Sequence, residues 1–242
     1  MFVCARRAQK GLQGDVACAT GVSMVSLMKL SRVVLGILLG LGLCACHKEQ
    51  TLTEKQQAIE NGKLDAALAY TVAEIGWSTH LPAGWDVMTP ETAQKLQTQG
   101  QKAIEKTAEA AVDVAALKQL LNLRKDPFNI LLSTMEPYDV AADGPWLEAN
   151  KEIIELMTSS YAQAGVKLGQ MKLGVETLDG LDFQTWQAEV LDPSGQSVLI
   201  VQKMYSRLIH GYDFAITVTT NNEPDRETLT KLVQSSKFSQ RD

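Results

Sequence analysis

Residues 181–220 read LDFQTWQAEVLDPSGQSVLIVQKMYSRLIHGYDFAITVTT, and their patterning decides the fold. Three strands follow one another: Leu181–Leu191, 197–209 and Tyr212–Thr220. Successive strand side chains point to opposite sides, so Phe183, Thr185, Gln187 and Glu189 fall on one face and Trp186, Ala188 and Val190 on the other. Asp192-Pro193-Ser194-Gly195 supplies a proline that pre-sets a turn and a glycine that accepts positive φ, so the second strand returns as a hairpin. His210-Gly211 then breaks the apolar run. Beyond it Tyr212, Phe214, Ile216 and Val218 alternate with Asp213, Ala215, Thr217 and Thr219. Three antiparallel strands with one apolar face require a covering layer, which helices elsewhere in the chain supply.

Upstream of this ribbon, Asp179-Gly180 turns the chain out of a weaker strand over 166–175. Before it, Asp143-Gly144-Pro145 opens a helix over 143–164, with Leu147, Ile154, Met157 and Tyr161 on one face and Gly165 at the C-terminal end. The aliphatic run in 128–133 reads as a central strand that Met135-Glu136-Pro137-Tyr138 terminates. An alanine-rich helix is expected over 101–121, its stripe being Ile104, Ala111, Val114, Leu117 and Leu121. Thr89-Pro90-Glu91 has the form of an N-cap followed by proline at the first helical position. Residues 75–81 read as a strand entering the turn Pro82-Ala83-Gly84-Trp85, and 54–68 as a modest helix loosened at Asn61-Gly62. Downstream, Asn221-Asn222-Glu223-Pro224 caps a last helix over 225–235. No long linker or repeat interrupts the order, so residues 54–242 are expected to form a single soluble α/β domain.

The N-terminal part has a different character. Met28-Lys29-Leu30-Ser31-Arg32 is basic, and residues 33–43 are uncharged Val, Leu, Ile and Gly. That run is short for a membrane span and of the right length for the core of a signal peptide. An uncleaved anchor or a buried core helix is the plainer alternative, against which stand the length and the glycines at 36, 40 and 42. Residues before Met24 show no pattern, which points to Met24 or Met28 as the true start, or else to a long basic lead. All four cysteines, Cys4, Cys18, Cys44 and Cys46, lie in this region, so the rest of the chain can hold neither a disulfide nor a cysteine-ligated metal. The full chain of 242 residues has a formal net charge of −5. Residues 1–45 hold five basic residues and one acidic residue, which leaves 18 basic against 27 acidic beyond them, a net of −9. An acidic surface of this kind is a poor match for nucleic acid or anionic lipid.

Leu43-Cys44-Ala45-Cys46 resembles the bacterial lipoprotein box, with an aliphatic residue three places before the modified cysteine and a small one just before it. The resemblance implies removal of residues 1–45 as leader and signal peptide, lipidation of Cys46 with several acyl chains, and a short polar tether over 46–53. Several chains on one residue give stable anchoring. His47 stands where an aspartate is associated with inner-membrane retention, which favours the outer membrane, facing the periplasm. The order of elements from 73 to 238 resembles the Mog1/PsbP-like superfamily and its small DcrB-type lipoproteins. The features are the early strand ending in Leu81-Pro82-Ala83-Gly84-Trp85, a middle helix before sequential antiparallel strands, and the closing Ser235-Ser236-Lys237-Phe238. That resemblance implies an α/β/α sandwich, with a mainly antiparallel twisted sheet covered by helices, and no enzymatic activity.

Chemistry-bearing residues are sparse. The histidines are His47, His80 and His210, with no HExxH-like spacing, so no metal or other cofactor is expected. Acidic residues are so numerous that some carboxylate pair is inevitable and uninformative. Serines lack a nucleophile elbow, and no glycine-rich phosphate loop is present. Trp77 and Trp186 are assigned to core packing, whereas Trp85, in a turn, and Trp146, at a helix start, are candidates for a binding surface. The expected role is a non-catalytic envelope lipoprotein that docks a protein partner during assembly or maintenance of the cell envelope. A small-ligand or lipid carrier is the alternative. An envelope hydrolase would need His80 or His210 to face a carboxylate and a hydroxyl in one cleft.

Overall fold

A computed structural model describes residues 49–239. In chain order the elements are α1 (Leu52–Gln57), β1 (Lys63–Leu64), β2 (Ala69–Val72), β3 (Trp77–His80), β4 (Asp86–Val87), α2 (Pro90–Ala108), β5 (Lys118–Gln119), β6 (Leu123–Arg124), β7 (Ile130–Pro137), α3 (Val140–Asp143), α4 (Trp146–Gln163), β8 (Leu168–Leu178), β9 (Leu181–Leu191), β10 (Val198–Ile209), β11 (Tyr212–Thr220), α5 (Glu223–Gln234) and β12 (Lys237–Phe238).

The ribbon of β9, β10 and β11 forms as its alternation predicts and sits inside an antiparallel sheet of order β4-β6-β7-β11-β10-β9-β8, with β5 beside β7. At both sharp hairpins the turn residues adopt positive φ: Asp179 and Gly180 between β8 and β9, His210 and Gly211 between β10 and β11. This is the type I′ geometry whose twist suits two-residue hairpins. A second sheet, β1-β2-β3-β12, lies across one face of the first.

Apolar side chains fill both faces of the large sheet. On one side Phe183, Tyr205, Phe214, Ile216 and Met135 meet Tyr70 and Trp77 of the small sheet and Leu229, Leu232 and Val233 of α5. On the other, Trp186, Ala188 and Met204 meet Ile104 of α2 and Ile153 and Met157 of α4. The result is the expected α/β/α sandwich, a twisted antiparallel sheet flanked by helices. Trp77 ties its first core together, donating from Nε1 to Ser236 Oγ at 3.1 Å and packing its ring against Tyr70 and Phe214.

Several boundaries differ from expectation, each for a local reason. The helix expected over 54–68 is six residues long: Thr51 and Glu54 form a capping box at its start, and Gly62 at φ 88° turns the chain into β1. Folded structure begins before residue 54, because the Gln50 side chain bonds the Val87 backbone in both directions, at 2.8 and 3.0 Å. The alanine-rich helix runs Pro90–Ala108 and not 101–121. It starts at the Thr89 cap and ends where Glu109 turns left-handed, so Ala111, Val114, Leu117 and Leu121 lie beyond it in irregular chain that includes a turn closed by the Leu117 N–H on the Val114 carbonyl. Met135–Pro137 continues β7 because β11 pairs with it as far as Pro137. The helix expected to open at Asp143-Gly144-Pro145 and run through 164 forms as α4, with Pro145 at its N-cap, but on a different face: it buries Asn150, Ile153, Met157 and Ser160 while Leu147 stays 60% exposed. A buried hydrogen bond from Ser206 Oγ to Asn150 Oδ1, 2.9 Å, sets that rotation. Among the described residues no helix is long and apolar enough to cross a membrane.

Candidate functional site

β8 is the last strand of the large sheet and pairs with β9 alone. Because alternate side chains share a face, Met171, Leu173 and Val175 line up on the side that carries α2 and α4. They are 48%, 68% and 54% exposed, the densest run of exposed large apolar side chains among the described residues. The helical cover stops short of them. Between α4 and β8 lies an open groove of about 510 Å³, walled by Ile154, Thr158, Met171 and Leu173 and floored by Trp186.

Trp186 is buried, and its indole Nε1 has no hydrogen-bond partner among the described residues. Leaving such a donor unpaired costs about 1–3 kcal/mol. The ring stacks on Tyr161 at 6.3 Å between centroids and 14° between planes, and the Tyr161 hydroxyl donates to Gln202 Oε1. Burial pushes that hydroxyl up to about 12, against the Gln202 bond, which pulls it down, so Tyr161 acts as a neutral donor. The groove therefore offers apolar walls and aromatic packing, with Glu155 and Ser159 also in its lining and Ser159 Oγ donating to the Glu155 carbonyl, a set suited to binding.

The residues singled out from sequence lie elsewhere. Trp85 is 1% exposed and belongs to the core on the opposite face of the sheet; its carbonyl accepts from the buried Lys55 ammonium at 2.9 Å. Trp146 is half-buried at the start of α4 and donates from Nε1 to Asp213 Oδ1 at 2.8 Å, which docks the helix on β11. Trp186 packs in the core as assigned, but it also floors the groove. The signal that could have pointed there is the apolar alternation of Met171, Leu173 and Val175, which sequence alone places on a strand face without showing whether a helix covers it.

His80 and His210 are both exposed. A hollow of about 290 Å³ beside His210 contains Ser239 but no Asp or Glu in its lining, so the triad a hydrolase needs is not assembled there. Among the described residues no group of three or more His, Cys, Asp or Glu is placed to hold a metal ion. His47 and the expected lipidation site Cys46 fall outside the described residues.

No family model matches the chain, and no curated protein is significantly similar to it. Among solved structures it is similar to the solution structure of cyanobacterial PsbP (CyanoP) from Synechocystis sp. PCC 6803, with 14% sequence identity and a TM-score of 0.46 over 74% of this chain and 96% of that one. A likeness of that extent carries no argument about site, activity or partner.

Proposed function

We propose that the chain is a non-catalytic docking or accessory module of the bacterial cell envelope, tied to the membrane by lipid on Cys46 and presenting its β8–α4 face to an envelope protein. The outer membrane, on its periplasmic side, is the compartment this reading favours. The observation that carries it is the uncovered row Met171, Leu173 and Val175 beside the Trp186 groove. Contiguous exposed apolar side chains of this kind mark interaction surfaces, because water around them is released on association. The acidic net charge beyond residue 45 disfavours nucleic acid as the partner.

The test uses the full chain in intact cells, with a photo-crosslinking residue in place of Leu173 and, as control, in place of the exposed Lys151. Docking predicts a discrete adduct from position 173 and none from 151. No adduct from either position rejects the reading. Anchoring is checked in the same membranes by mass spectrometry, which is expected to find an acylated N-terminal peptide starting at Cys46 and to lose it in Cys46→Ser.

The groove itself favours a second reading, a carrier of small apolar ligands held between its apolar walls and the Trp186 ring. A saturable change in tryptophan fluorescence on titration with a long-chain fatty acid would support it. An unchanged spectrum rejects it.

A further inference from the structure

The β8 edge carries a self-complementary pattern. In the Asp179-Gly180 hairpin the closing residues Leu178 and Leu181 are bonded to each other through the backbone, as a type I′ turn requires. Bonded and non-bonded pairs alternate from there along an antiparallel ladder. Glu176, Gly174 and Lys172 therefore turn their backbone groups to β9, and Thr177, Val175, Leu173 and Met171 turn theirs outward, where the described residues supply no strand. The run is regular up to the bulge between Leu168 and Met171 and contains no proline. Natural edge strands are commonly blunted by proline, a bulge or charge; here the bulge lies beyond Met171, and the two charges on the run, Lys172 and Glu176, are of opposite sign.

We infer that this edge pairs antiparallel with β8 of a second copy about a two-fold axis at Gly174; the inference rests on the docking reading of the same face and names its first occupant. In that register Leu173 lies opposite the other copy's Val175, Met171 opposite its Thr177, and Lys172 opposite its Glu176, each pair occurring twice by symmetry. The outward N–H and C=O groups of Leu173 and Val175 satisfy one another across the axis. Lys172 and Glu176 fall in the non-hydrogen-bonded pairing, where side chains approach most closely. Other registers lose this match. Centring on Lys172 or on Glu176 sets like charges face to face, and centring on Leu173 or Val175 leaves both charges opposite uncharged residues. Gly174 has no side chain to crowd the axis. Glu176 accepts from Lys203 of β10 through Oε1, an intrachain partner that the other copy's Lys172 would share. The pairing joins the Met171, Leu173 and Val175 rows of two copies into one apolar strip between two grooves, and that strip is the platform offered to the envelope partner.

The test is Gly174→Cys in the full chain, oxidised in native membranes and run on a non-reducing gel. The substitution is compatible with the fold: Gly174 does not have positive φ, and a Cβ there meets only Thr185 Oγ1, at 3.3 Å. Lys151→Cys on the exposed side of α4 and the unsubstituted chain set the background of unspecific and leader-cysteine linkage. The expected result is a disulfide-linked homodimer from Gly174→Cys alone. Adding Lys172→Glu places two like-charge pairs across the axis and lowers the yield about tenfold. Adding Glu176→Gln to that variant removes the like-charge pairs, keeps an acceptor for Lys203 and restores most of it. Self-linkage no greater than that of Lys151→Cys, or failure of the added Glu176→Gln to restore it, overturns the inference. An adduct with a different protein from positions 173 and 174, without self-linkage, overturns the inference and leaves the docking reading standing, whereas no adduct from either position overturns both.

Discussion

Asp179 shows how much one residue at a turn can hold. At φ 49° it occupies the left-handed region that Asp and Asn tolerate, which lets the β8–β9 hairpin close. Its carboxylate then accepts from Lys237 Nζ and from the Phe238 N–H, both at 2.8 Å, and so fastens β12 to the hairpin tip. The hydrogen bond from Lys237, followed by that from Phe238, holds the carboxyl below the usual aspartate range. A carboxyl with a lowered folded pKa stabilises the fold fully above its unfolded pKa, and that contribution is lost as pH falls through the folded value. Asp179→Asn keeps the backbone preference and removes the charge. It is expected to lower the urea midpoint at neutral pH and to flatten the acid limb of the midpoint–pH curve, as followed by circular dichroism; an unchanged acid limb would assign that limb to other carboxylates. The turn was legible as Asp-Gly, but its partners 58 and 59 positions away were not. The tryptophans teach the same lesson. Trp85 follows a turn glycine and looks available in sequence, yet Lys55 and the core enclose it, whereas Trp186 looks like a core residue and also floors the groove because α4 ends its cover there.

Helix ends divide into those written locally and those set by what the helix meets. The start of α2 follows from Thr89-Pro90, whose side chain and ring satisfy or remove orphan N–H groups. Its end does not. Residues after Ala108 keep an alanine-rich composition, but Gln119 is drawn into β5 beside β7, and pairing of backbone groups with a sheet overrides a modest helical preference. The α4 stripe was misphased for a related reason: Ser206 selects Asn150 as an inward position, a polar pair that apolar periodicity cannot reveal. At α5 the cap is local again. Asn222 accepts from the Asp225 N–H at 3.0 Å, and the helix delivers Leu229, Leu232 and Val233 to the core. Asn222→Ala is therefore expected to lower stability by about 1 kcal/mol, within a range of about 0.5–2, and Asn222→Ser, which keeps an acceptor oxygen, to retain most of it. Equal losses for the two variants in urea titrations would mean that the Asn222 amide matters through its bond to Asp225 Oδ2 and not as a cap.

At the scale of the whole molecule, the first described residues and the proposed docking edge stand at opposite ends of one rigid sheet. Gln50 is bonded to Asp86 and Val87 at the β4 end, and β8 closes the other end six strand steps away, about 29 Å at the usual spacing. Cores on both faces of the sheet make that separation a fixed length, because neither end can bend toward the other without opening packed side chains. If lipid on Cys46 holds the β4 end at the bilayer, the β8 edge projects away from it, and the four steps from Cys46 to Gln50 can reach no farther than about 14 Å. Docking at an edge that already points outward should not depend on a longer tether. Inserting a flexible Gly/Ser segment between His47 and Glu49 is thus expected to leave the crosslink yield from position 173 within about twofold of the unmodified chain, since only an effective concentration that rises or falls slowly with linker length is altered. A yield that climbs steeply with each added segment would mean that the bilayer shields the edge, and would place the β8 face toward the membrane instead of toward a partner beyond it.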